Sequence, residues 1–378
     1  MANSNLTAAK RAKNDEFYTQ YHDIEKEINA YLDFNSDVFR GKTVLLPCDD
    51  PEWSNFTKFF AQNFERFGLK KLISTSYAVD SKLFKGGYQV TIFEESAPQY
   101  DRSKTTTNGK IFTLTHDKSG DGKIDVNDLE WDYMVGDGDF NSLEVKKLRD
   151  EADIIITNPP FSLFRDFLTW IIEANKKFVI IGSKNAISLK EVFPLIKENR
   201  MWVGSTSFSK DMLFISPEEI DPGEYPKSAT RTVDGVVFLR SPSVWYTNLD
   251  HGRRHQPLQL MSSADNLRFN KKFKGKDSYD HYDNYDAIEV PFTDAIPSDY
   301  NGMMAVPITF LDKYNPDQFE IFGVTQRNDD PYKIKKYTTD EFPNANDLNA
   351  RGVIMIDGRP KSMYARVLIK KKTGHNKT

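Results

Sequence analysis

The sequence predicts an α/β fold with a doubly wound parallel sheet. Two observations carry this prediction: short apolar runs rich in Ile, Leu and Val are interspersed with amphipathic helical runs, and Gly or polar turn residues separate them. Strands joined by helices form βαβ units, whose strands lie parallel in one sheet. The core elements are, in chain order, a strand, a helix, two strands, a helix and a strand, at Thr43–Pro47, Ser54–Phe67, Leu72–Thr75, Ala152–Thr157, Leu163–Ala174 and Phe178–Ile181.

Further elements flank this core. Ile24, Ile28 and Tyr31 are spaced as on one face of a helix. The polar segment 81–132 interrupts the strand pattern, so we interpret it as an insertion with short strands at Gln89–Phe93 and Ile111–Leu114. The remaining strands of the same domain are predicted at Met201–Val203, Met212–Ile215 and Val236–Leu239.

The character of the sequence changes near residue 250. Helical patterns become rare, and Tyr, Asp, Asn and Pro become frequent. Short strands are predicted around Met304–Leu311, Phe319–Val324 and Val353–Ile356. We therefore predict two domains, 1–250 and a smaller β-rich lobe at 251–378.

The bulk composition limits location and partners. The chain has 378 residues, one cysteine and no apolar run near the roughly 20 residues of a membrane-spanning helix. A cytoplasmic protein without membrane contact or intrachain disulfide is expected. The net charge of −4 excludes a surface that is basic throughout, so any contact with nucleic acid needs a local basic patch.

Asn158-Pro159-Pro160-Phe161 directly follows a predicted buried strand and carries the most chemical information. A turn of this kind suits methyl transfer to an exocyclic amine such as that of adenine. This amino group is a poor nucleophile because its lone pair is delocalised into the ring. Two acceptors aimed at its N–H bonds would localise that pair, and the Asn158 side-chain oxygen and the Pro159 carbonyl can supply them. Phe161 offers a stacking face for the base.

Two other interpretations of this tetrapeptide remain open. It can be a plain turn from strand to helix, with the prolines as breakers and Phe161 in the core. Alternatively, the motif serves methyl transfer to a different group, because methylases of RNA, of cytosine amino groups and of glutamine side chains use close relatives of it.

Three polar loops are predicted at one edge of the sheet. In open α/β sheets, ligands bind outside the carboxyl ends of the strands. Pro47–Pro51, Gly136–Phe140 and Asn158–Phe161 each fall at such an end, so we expect them to share one cavity. The carboxylates can hold ribose hydroxyls or an amino group, and Phe140 can flank a purine.

A basic stretch follows the predicted catalytic region. Between His251 and Lys276, seven cations accompany a single acid, Asp265, and Phe269 and Phe273 lie among them. Such a stretch is either a solvated loop or a contact surface for DNA phosphates. The candidate DNA contacts are Arg253, Arg254, Arg268, Lys271, Lys272 and Lys274.

Residues 117–128 fit the pattern of a calcium-binding loop. Oxygen-bearing side chains occupy its positions 1, 3, 5, 9 and 12, and Gly122 occupies position 6. The alternative is a turn rich in Asp and Gly that binds nothing. The candidate ligands of a structural Ca²⁺ are Asp117, Ser119, Asp121, Lys123 through its carbonyl, Asp125 and Asp128.

Taken in order, these motifs make the chain resemble the EcoRI-type adenine-specific DNA methyltransferases over nearly its whole length. Asn14–Gln20 resembles the amino-terminal cofactor motif of such enzymes, and Cys48–Pro51 with Ser54–Phe56 resembles the family's glycine-poor first loop. Gly136–Phe140 is similar to the motif that holds the adenine of S-adenosylmethionine. Trp245–Leu249 resembles a late sheet motif near the flipped base. The acid usual after the second strand is not evident, so Asp80 or the insertion would contact the ribose.

The resemblance implies a Rossmann-like, S-adenosylmethionine-dependent adenine-N6 methyltransferase with a target-recognition lobe. It also implies duplex DNA with a flipped adenine as substrate and a restriction endonuclease acting separately. A monomer is expected, because a single polypeptide with its own recognition lobe can modify one strand in one round of transfer. The alternatives are another acceptor, a DNA-binding relative without catalysis, and a nuclease built on Glu144-Val145-Lys146. The implied catalytic residues are Asn158, Pro159, Pro160, Phe161 and Tyr246, and the implied cofactor contacts are Asp15, Glu16, Phe17, Tyr18, Thr19, Pro47, Cys48, Asp49, Asp50, Asp137, Asp139 and Phe140.

Overall fold

The computed structural model describes residues 18–49, 54–78, 95, 97–206, 208, 210–215, 226–326 and 330–372. The chain divides into two compact units. The first takes residues 1–184 and 203–251, and the second takes 185–202 and 252–378. Residues 185–202, which the sequence analysis assigned to the first domain, thus group with the second. No helix within the described ranges is long and apolar enough to cross a membrane.

A mixed sheet of eight strands, counted over the described residues, forms the centre of the first unit. Its strand order is β5-β4-β3-β2-β6-β7-β12-β8. The middle strands β3, β2, β6 and β7 are parallel neighbours, whereas β4, β5 and β12 pair antiparallel. The strands are β2 (Thr43–Leu46), β3 (Lys71–Ser76), β4 (Lys110–Leu114), β5 (Glu130–Tyr133), β6 (Ile154–Thr157), β7 (Lys177–Ser183), β8 (Trp202–Val203) and β12 (Ser243–Thr247).

The predicted α/β class with a parallel core is confirmed, and two details of the sequence analysis are wrong. The segment 81–132 is not separate from the sheet, because its strands β4 and β5 extend the edge next to β3. The runs at 212–215 and 236–239 belong to a different sheet, described below. The strand predicted at 89–93 lies outside the described residues.

Helices cover the main sheet. One face carries the helix Tyr21–Phe34 and the Phe-rich pair Asn55–Gln62 and Phe64–Phe67, which pack with alternate strand residues such as Val44 and Ile156. Gly68 ends this pair in the left-handed conformation. The helix Phe164–Glu173 contacts β7, and Phe164 packs against Tyr246 of β12. The remaining helix of the unit is Leu143–Glu151.

A second, antiparallel sheet in the first unit has the order β1-β9-β11-β10. Its central strand β9 pairs on one side with the short strand β1 and on the other with β11. Gln20 donates from Nε2 to the Leu213 carbonyl at 3.0 Å, which adds to the link between β1 and β9. The strands are β1 (Tyr18–Thr19), β9 (Met212–Ile215), β10 (Thr230–Val233) and β11 (Val236–Ser241).

A buried carboxylate fixes the first long helix to the loop after β8. Glu27 is fully buried, and its Oε1 accepts hydrogen bonds from the Tyr31 hydroxyl at 2.6 Å and the Ser205 N–H at 2.7 Å. Its Oε2 accepts from the N–H and the hydroxyl of Thr206 at 2.8 and 2.6 Å. Burial together with the Glu27 charge raises the pKa of Tyr31 well above its ordinary value, so this phenol stays a donor.

The second unit contains a four-stranded sheet and a separate hairpin within its described residues. The sheet order is β13-β14-β18-β15, and β16 pairs with β17. Arg366 and Glu289 form a buried ion pair at 2.7 Å inside the sheet region. The strands are β13 (Ala287–Glu289), β14 (Met303–Pro307), β15 (Phe319–Val324), β16 (Val353–Ile356), β17 (Arg359–Ser362) and β18 (Arg366–Lys371), and the helices are Phe193–Lys197, Ser263–Phe269 and Ala345–Asn349.

Glu27→Gln is expected to lower the free energy of unfolding by about 3 kcal/mol, because an amide NH₂ would then face two buried donors. The measurement is the urea-unfolding midpoint with its slope. Glu25→Gln on the exposed side of the same helix is the control, with an expected change within about 0.5 kcal/mol. Equal stability of the two variants would contradict the role given to Glu27.

Candidate active site

The candidate site lies at the point in the sheet where the order of successive strands reverses. β2 lies between β3, which follows it in the chain, and β6, which comes later. At such a topological switch point the loops after the two neighbouring strands separate and leave a crevice at their carboxyl ends. The loop Pro47–Asp49 follows β2, and the turn Asn158–Phe161 follows β6. Two of the three sequence-predicted loops therefore border this crevice.

Asp49, in the loop after β2, connects the two loops through hydrogen bonds of its buried side chain. It is 5% exposed, and its carboxylate accepts from the Ser54 hydroxyl at 2.8 Å and from the Thr157 hydroxyl at 2.5 Å. Its N–H donates to the Thr75 carbonyl at 2.9 Å, and its own carbonyl accepts from the Ser74 hydroxyl. Asp49 thus connects the ends of β2, β3 and β6, and Thr157 is the residue directly before Asn158.

Cys48 has the backbone conformation of a glycine. Its φ is +69°, in the left-handed region that favours glycine and that costs other residues roughly 1–2 kcal/mol. The first loop therefore makes its sharp turn without a glycine, because the bonds of Asp49 on one side and the buried Pro47 on the other fix its ends.

The loop Gly136–Phe140 lies beside the end of β3. The Ala78 N–H donates to the Asp137 carbonyl at 2.7 Å, and the Tyr77 hydroxyl donates to Asp139 Oδ1 at 3.3 Å. Gly138 has a φ of +86°, and a Cβ there would collide with the Ser76 carbonyl oxygen. The third predicted loop is therefore held to the same edge of the sheet by backbone contact.

Tyr77 is a member of this site that the sequence analysis did not select. It is half-buried, and burial together with the nearby Cys48 and Asp139 raises its pKa above the ordinary value. A neutral phenol at this position remains a hydrogen-bond donor. Its only sequence signal is its place directly after β3, where an acid was sought.

The predicted catalytic turn is compact. Asn158 is half-buried and Pro159 is buried, and the Pro160 carbonyl accepts from the Leu163 N–H at 2.9 Å. The ring of Phe161 packs edge-on against Phe214 of β9, with 6.0 Å between ring centroids. Phe214 is fully buried, so the second sheet supports one side of this turn.

Two aromatic residues predicted to face ligands are buried in the structure. Phe140 is 2% exposed and packs edge-on against Phe167 and Trp170. Tyr246 is fully buried, and its hydroxyl donates to the Ser183 carbonyl at 2.8 Å. Burial raises the pKa of Tyr246. In this structure both rings form part of the packing below the site rather than its open surface.

The predicted calcium loop does not gather its carboxylates into a metal site. Asp117 accepts from the N–H groups of Gly120 and Gly122 at 2.6 and 2.8 Å. Asp128 accepts from Lys118, Ser119 and Asp125 at 2.8 to 3.0 Å, which lowers its pKa to about 2. Among the described residues no group of three or more His, Cys, Asp or Glu side chains could hold a metal ion. The structure therefore supports the alternative of an Asp-rich turn.

The predicted DNA contacts fall into two groups within the second unit. Arg253 forms an ion pair with Asp312 at 3.1 Å, and the buried Arg254 lies 3.6 Å over the ring of Trp202. In contrast, Arg268, Lys271, Lys272 and Lys274 are exposed, as is Phe269 at 64%. Phe273 is buried against Tyr279 and holds this segment to the unit.

Part of the amino-terminal motif lies outside the described residues, namely Asp15, Glu16 and Phe17, and so do Asp50 and Asp80. The described part of the motif includes β1, which pairs with Phe214 and Ile215. The buried Thr19 accepts through its carbonyl from Asn55 Nδ2 at 2.8 Å. This strand therefore lies next to both the helix after the first loop and the strand that supports Phe161.

Comparisons with known proteins agree with this geometry. A family model described as the adenine-specific methyltransferase EcoRI matches residues 5–372. The chain belongs to this family of adenine-specific DNA methyltransferases. It is 40% identical over 372 residues to the type II methyltransferase M.EcoRI of Escherichia coli, with 98% of this chain and 97% of that protein covered. It is 32% identical over 368 residues to the type II methyltransferase M.MpnI of Mycoplasma pneumoniae, with 96% and 97% covered.

No solved structure matches the chain significantly. The predicted family and adenine-specific DNA methyltransferase activity are confirmed, and the comparisons add that the enzyme is of type II. The family's specificity for adenine decides against the cytosine and protein-amide alternatives. The role of each site residue stays a prediction.

In this methyltransferase, Gly138→Ala is expected to lower the thermal unfolding temperature by several degrees, because the added Cβ meets the Ser76 carbonyl and the φ of +86° is unfavourable for alanine. Gly136→Ala is the matched control two residues away, since a Cβ there has no heavy atom within 4 Å. Differential scanning calorimetry compares the two. A smaller loss for Gly138→Ala than for Gly136→Ala would be incompatible with the close backbone approach.

Proposed function

We propose that this adenine-specific DNA methyltransferase transfers a methyl group from S-adenosylmethionine to the N6 amine of an adenine flipped out of duplex DNA. The observation that carries the proposal is the position of Asn158-Pro159-Pro160-Phe161 at the switch point of the sheet, in a chain of this family. The target amine is buried inside a base-paired duplex, so the base must leave the stack before it can react.

Asn158 and Pro159 would activate the amine by accepting its two hydrogen bonds. Oxygen acceptors on both N–H bonds draw the nitrogen lone pair out of conjugation with the ring and aim it at the incoming carbon. The bonds around Asp49 and Thr157 hold the backbone directly before Asn158, so the acceptor is already in place when the base arrives. Phe161, supported by Phe214, is our candidate for stacking on the base.

The half-buried polar groups beside β2 and β3 suit S-adenosylmethionine. Asp137 and Asp139 offer acceptors for hydroxyl and amino groups, Tyr77 holds Asp139 through a hydrogen bond, and the glycines at 136 and 138 allow close approach. When bound, the cofactor supplies an electrophilic methyl group on sulfur. The amine nitrogen forms the new N–C bond while the S–C bond breaks with its electron pair on sulfur, and the extra N6 proton passes to solvent. The buried Phe140 and Tyr246 would act by supporting these groups.

We also propose that the second unit contacts DNA through its exposed basic segment. Arg268, Lys271, Lys272 and Lys274 are exposed, so DNA phosphates can reach them. Arg253 and Arg254, whose side chains already have partners in the unit, are better suited to shaping the segment than to reading bases. A monomer in the cytoplasm, with a restriction endonuclease of the same specificity acting separately, completes the proposal.

Asn158→Ala is expected to reduce methyl transfer about 10²-fold or more, because one of the two acceptors on the amine is lost. Labelled S-adenosylmethionine and unmethylated duplex DNA provide the assay, followed by nucleoside analysis for N6-methyladenine. Asn127→Ala, an exposed residue that has no place in the proposed site, is the control and should keep the parent rate. Undiminished N6-methyladenine from Asn158→Ala would rule out its proposed role.

A triple Lys271, Lys272 and Lys274→Ala variant is expected to weaken DNA binding and to reduce the slope of log K against log salt by about 2 to 3, because each phosphate contact contributes roughly 0.9. Fluorescence anisotropy at several salt concentrations measures the slope. A triple variant of the exposed first-unit lysines Lys26, Lys70 and Lys147 is the charge-matched control. The same slope for both triple variants would remove the basic segment from the DNA interface.

A further inference from the structure

The β16-β17 hairpin of the second unit has a firmly held base and an exposed tip. Val353 and Ile354 at its base are buried. Every residue from Met355 to Arg359 is exposed, including two large apolar side chains, Met355 at 39% and Ile356 at 44%. Met355 and Ile356 are neighbours in a strand and therefore point to opposite faces, so the tip presents apolar surface to solvent on both faces of the hairpin.

Hydrogen bonds and packing fix the base. The Val353 N–H donates to Asn284 Oδ1 at 2.8 Å, and the Val353 carbonyl accepts from the Asp283 N–H at 2.8 Å. Asn284 also donates from Nδ2 to the Arg351 carbonyl at 2.8 Å. Ile354 packs in a cluster with Tyr282 and Tyr285. A hairpin held in this way presents its tip in a defined orientation.

A tight two-residue turn joins the two strands of the hairpin. Asp357 and Gly358 are the only two turn residues, with φ values of +48° and +74°. Both residues with positive φ in a two-residue Asp-Gly loop are typical of a type I′ turn, which continues the twist of the strands. Ile356 pairs with Arg359, and Ile354 pairs with Lys361. Since side chains alternate along a strand, Ile356, Arg359 and Lys361 share one face.

This face combines one exposed apolar side chain with two cations. Neither Arg359 nor Lys361 has an ion-pair partner among the described residues. With Asp357 at the turn, the tip carries a net positive charge. Guanine offers two acceptors in the major groove that match an arginine fork, and thymine offers a methyl group that matches an apolar side chain. A two-stranded ribbon is also of a size that the major groove admits.

We infer that this hairpin enters the major groove and reads base edges of the recognition site. Arg359 contacts a guanine through O6 and N7, and Ile356 contacts a thymine methyl. The inference rests on the proposed DNA contact of the second unit and adds to it the residues that determine sequence. The exposed lysine segment supplies phosphate contacts, which position the protein but carry no sequence information.

The first experiment maps N6-methyladenine across a plasmid of known sequence after treatment with the parent, Arg359→Ala or Arg231→Ala. Arg231 is an exposed arginine at the equivalent hairpin β10-β11 of the first unit, which also turns through an Asp-Gly pair, and is the matched control. We expect Arg359→Ala to accept other bases at one G·C position of the parent site, and Arg231→Ala to keep the parent site. A slower rate at an unchanged site would reduce Arg359 to a phosphate contact and overturn the inference.

The second experiment removes single base atoms from the mapped site. In the parent, 7-deazaguanine at the guanine contacted by Arg359 and deoxyuridine at the thymine contacted by Ile356 should each lower the specificity constant, by about tenfold for the guanine. Arg359→Ala should be insensitive to the first analogue, and Ile356→Ala to the second. Both positions are exposed, and equal melting temperatures would show that the variants are folded.

The outcomes distinguish a failure of this inference from a failure of the proposed function on which it rests. A parent that forms no N6-methyladenine would refute the proposed function. A parent that methylates a defined site, with variants that respond to every analogue as the parent does, would leave the function intact and refute the reading role of the hairpin.

Discussion

The candidate site depends on one buried carboxylate. Asp49 lies at the end of β2, and its bonds to Ser54, Thr157 and the backbone of Thr75 connect three parallel strands and the start of a helix. A buried carboxylate without such partners would carry a large desolvation penalty, so the surrounding hydroxyl groups and the charge require one another. Because Thr157 directly precedes Asn158, this contact also fixes where the candidate catalytic turn begins.

The second sheet of the first unit extends that constraint to the opposite side of the turn. Its strand β9 pairs with β1, the visible end of the amino-terminal motif, and carries Phe214 against Phe161. The Glu27 carboxylate holds the helix after β1 to the loop after β8. The segments proposed to bind the cofactor and the base are therefore supported by the same two sheets, and neither is an isolated loop.

Charged residues with the same sequence signal have different roles in the structure. Arg253 and Arg254 form internal contacts, whereas the lysines of 271–274 are exposed, although all belong to one basic stretch. Asp117 and Asp128 of the 117–128 loop accept backbone N–H bonds, so in this structure these two carboxylates hold the backbone of a turn. In both cases the sequence pattern shows only which residue types are present. The contacts that each charged side chain makes in the fold decide its role.

The sequence by itself determined the order of strands and helices in the parallel core and the family, and it singled out the candidate catalytic tetrapeptide, because local periodicity and short motifs are properties of neighbouring residues in the chain. It did not reveal that β4 and β5 extend the main sheet, that β9 and β11 form another, or that Phe140 and Tyr246 are buried. These are long-range pairings and burial, which depend on residues far apart in the chain. Only the tertiary structure decided them, because a strand's partner and a side chain's exposure are fixed when distant elements pack together.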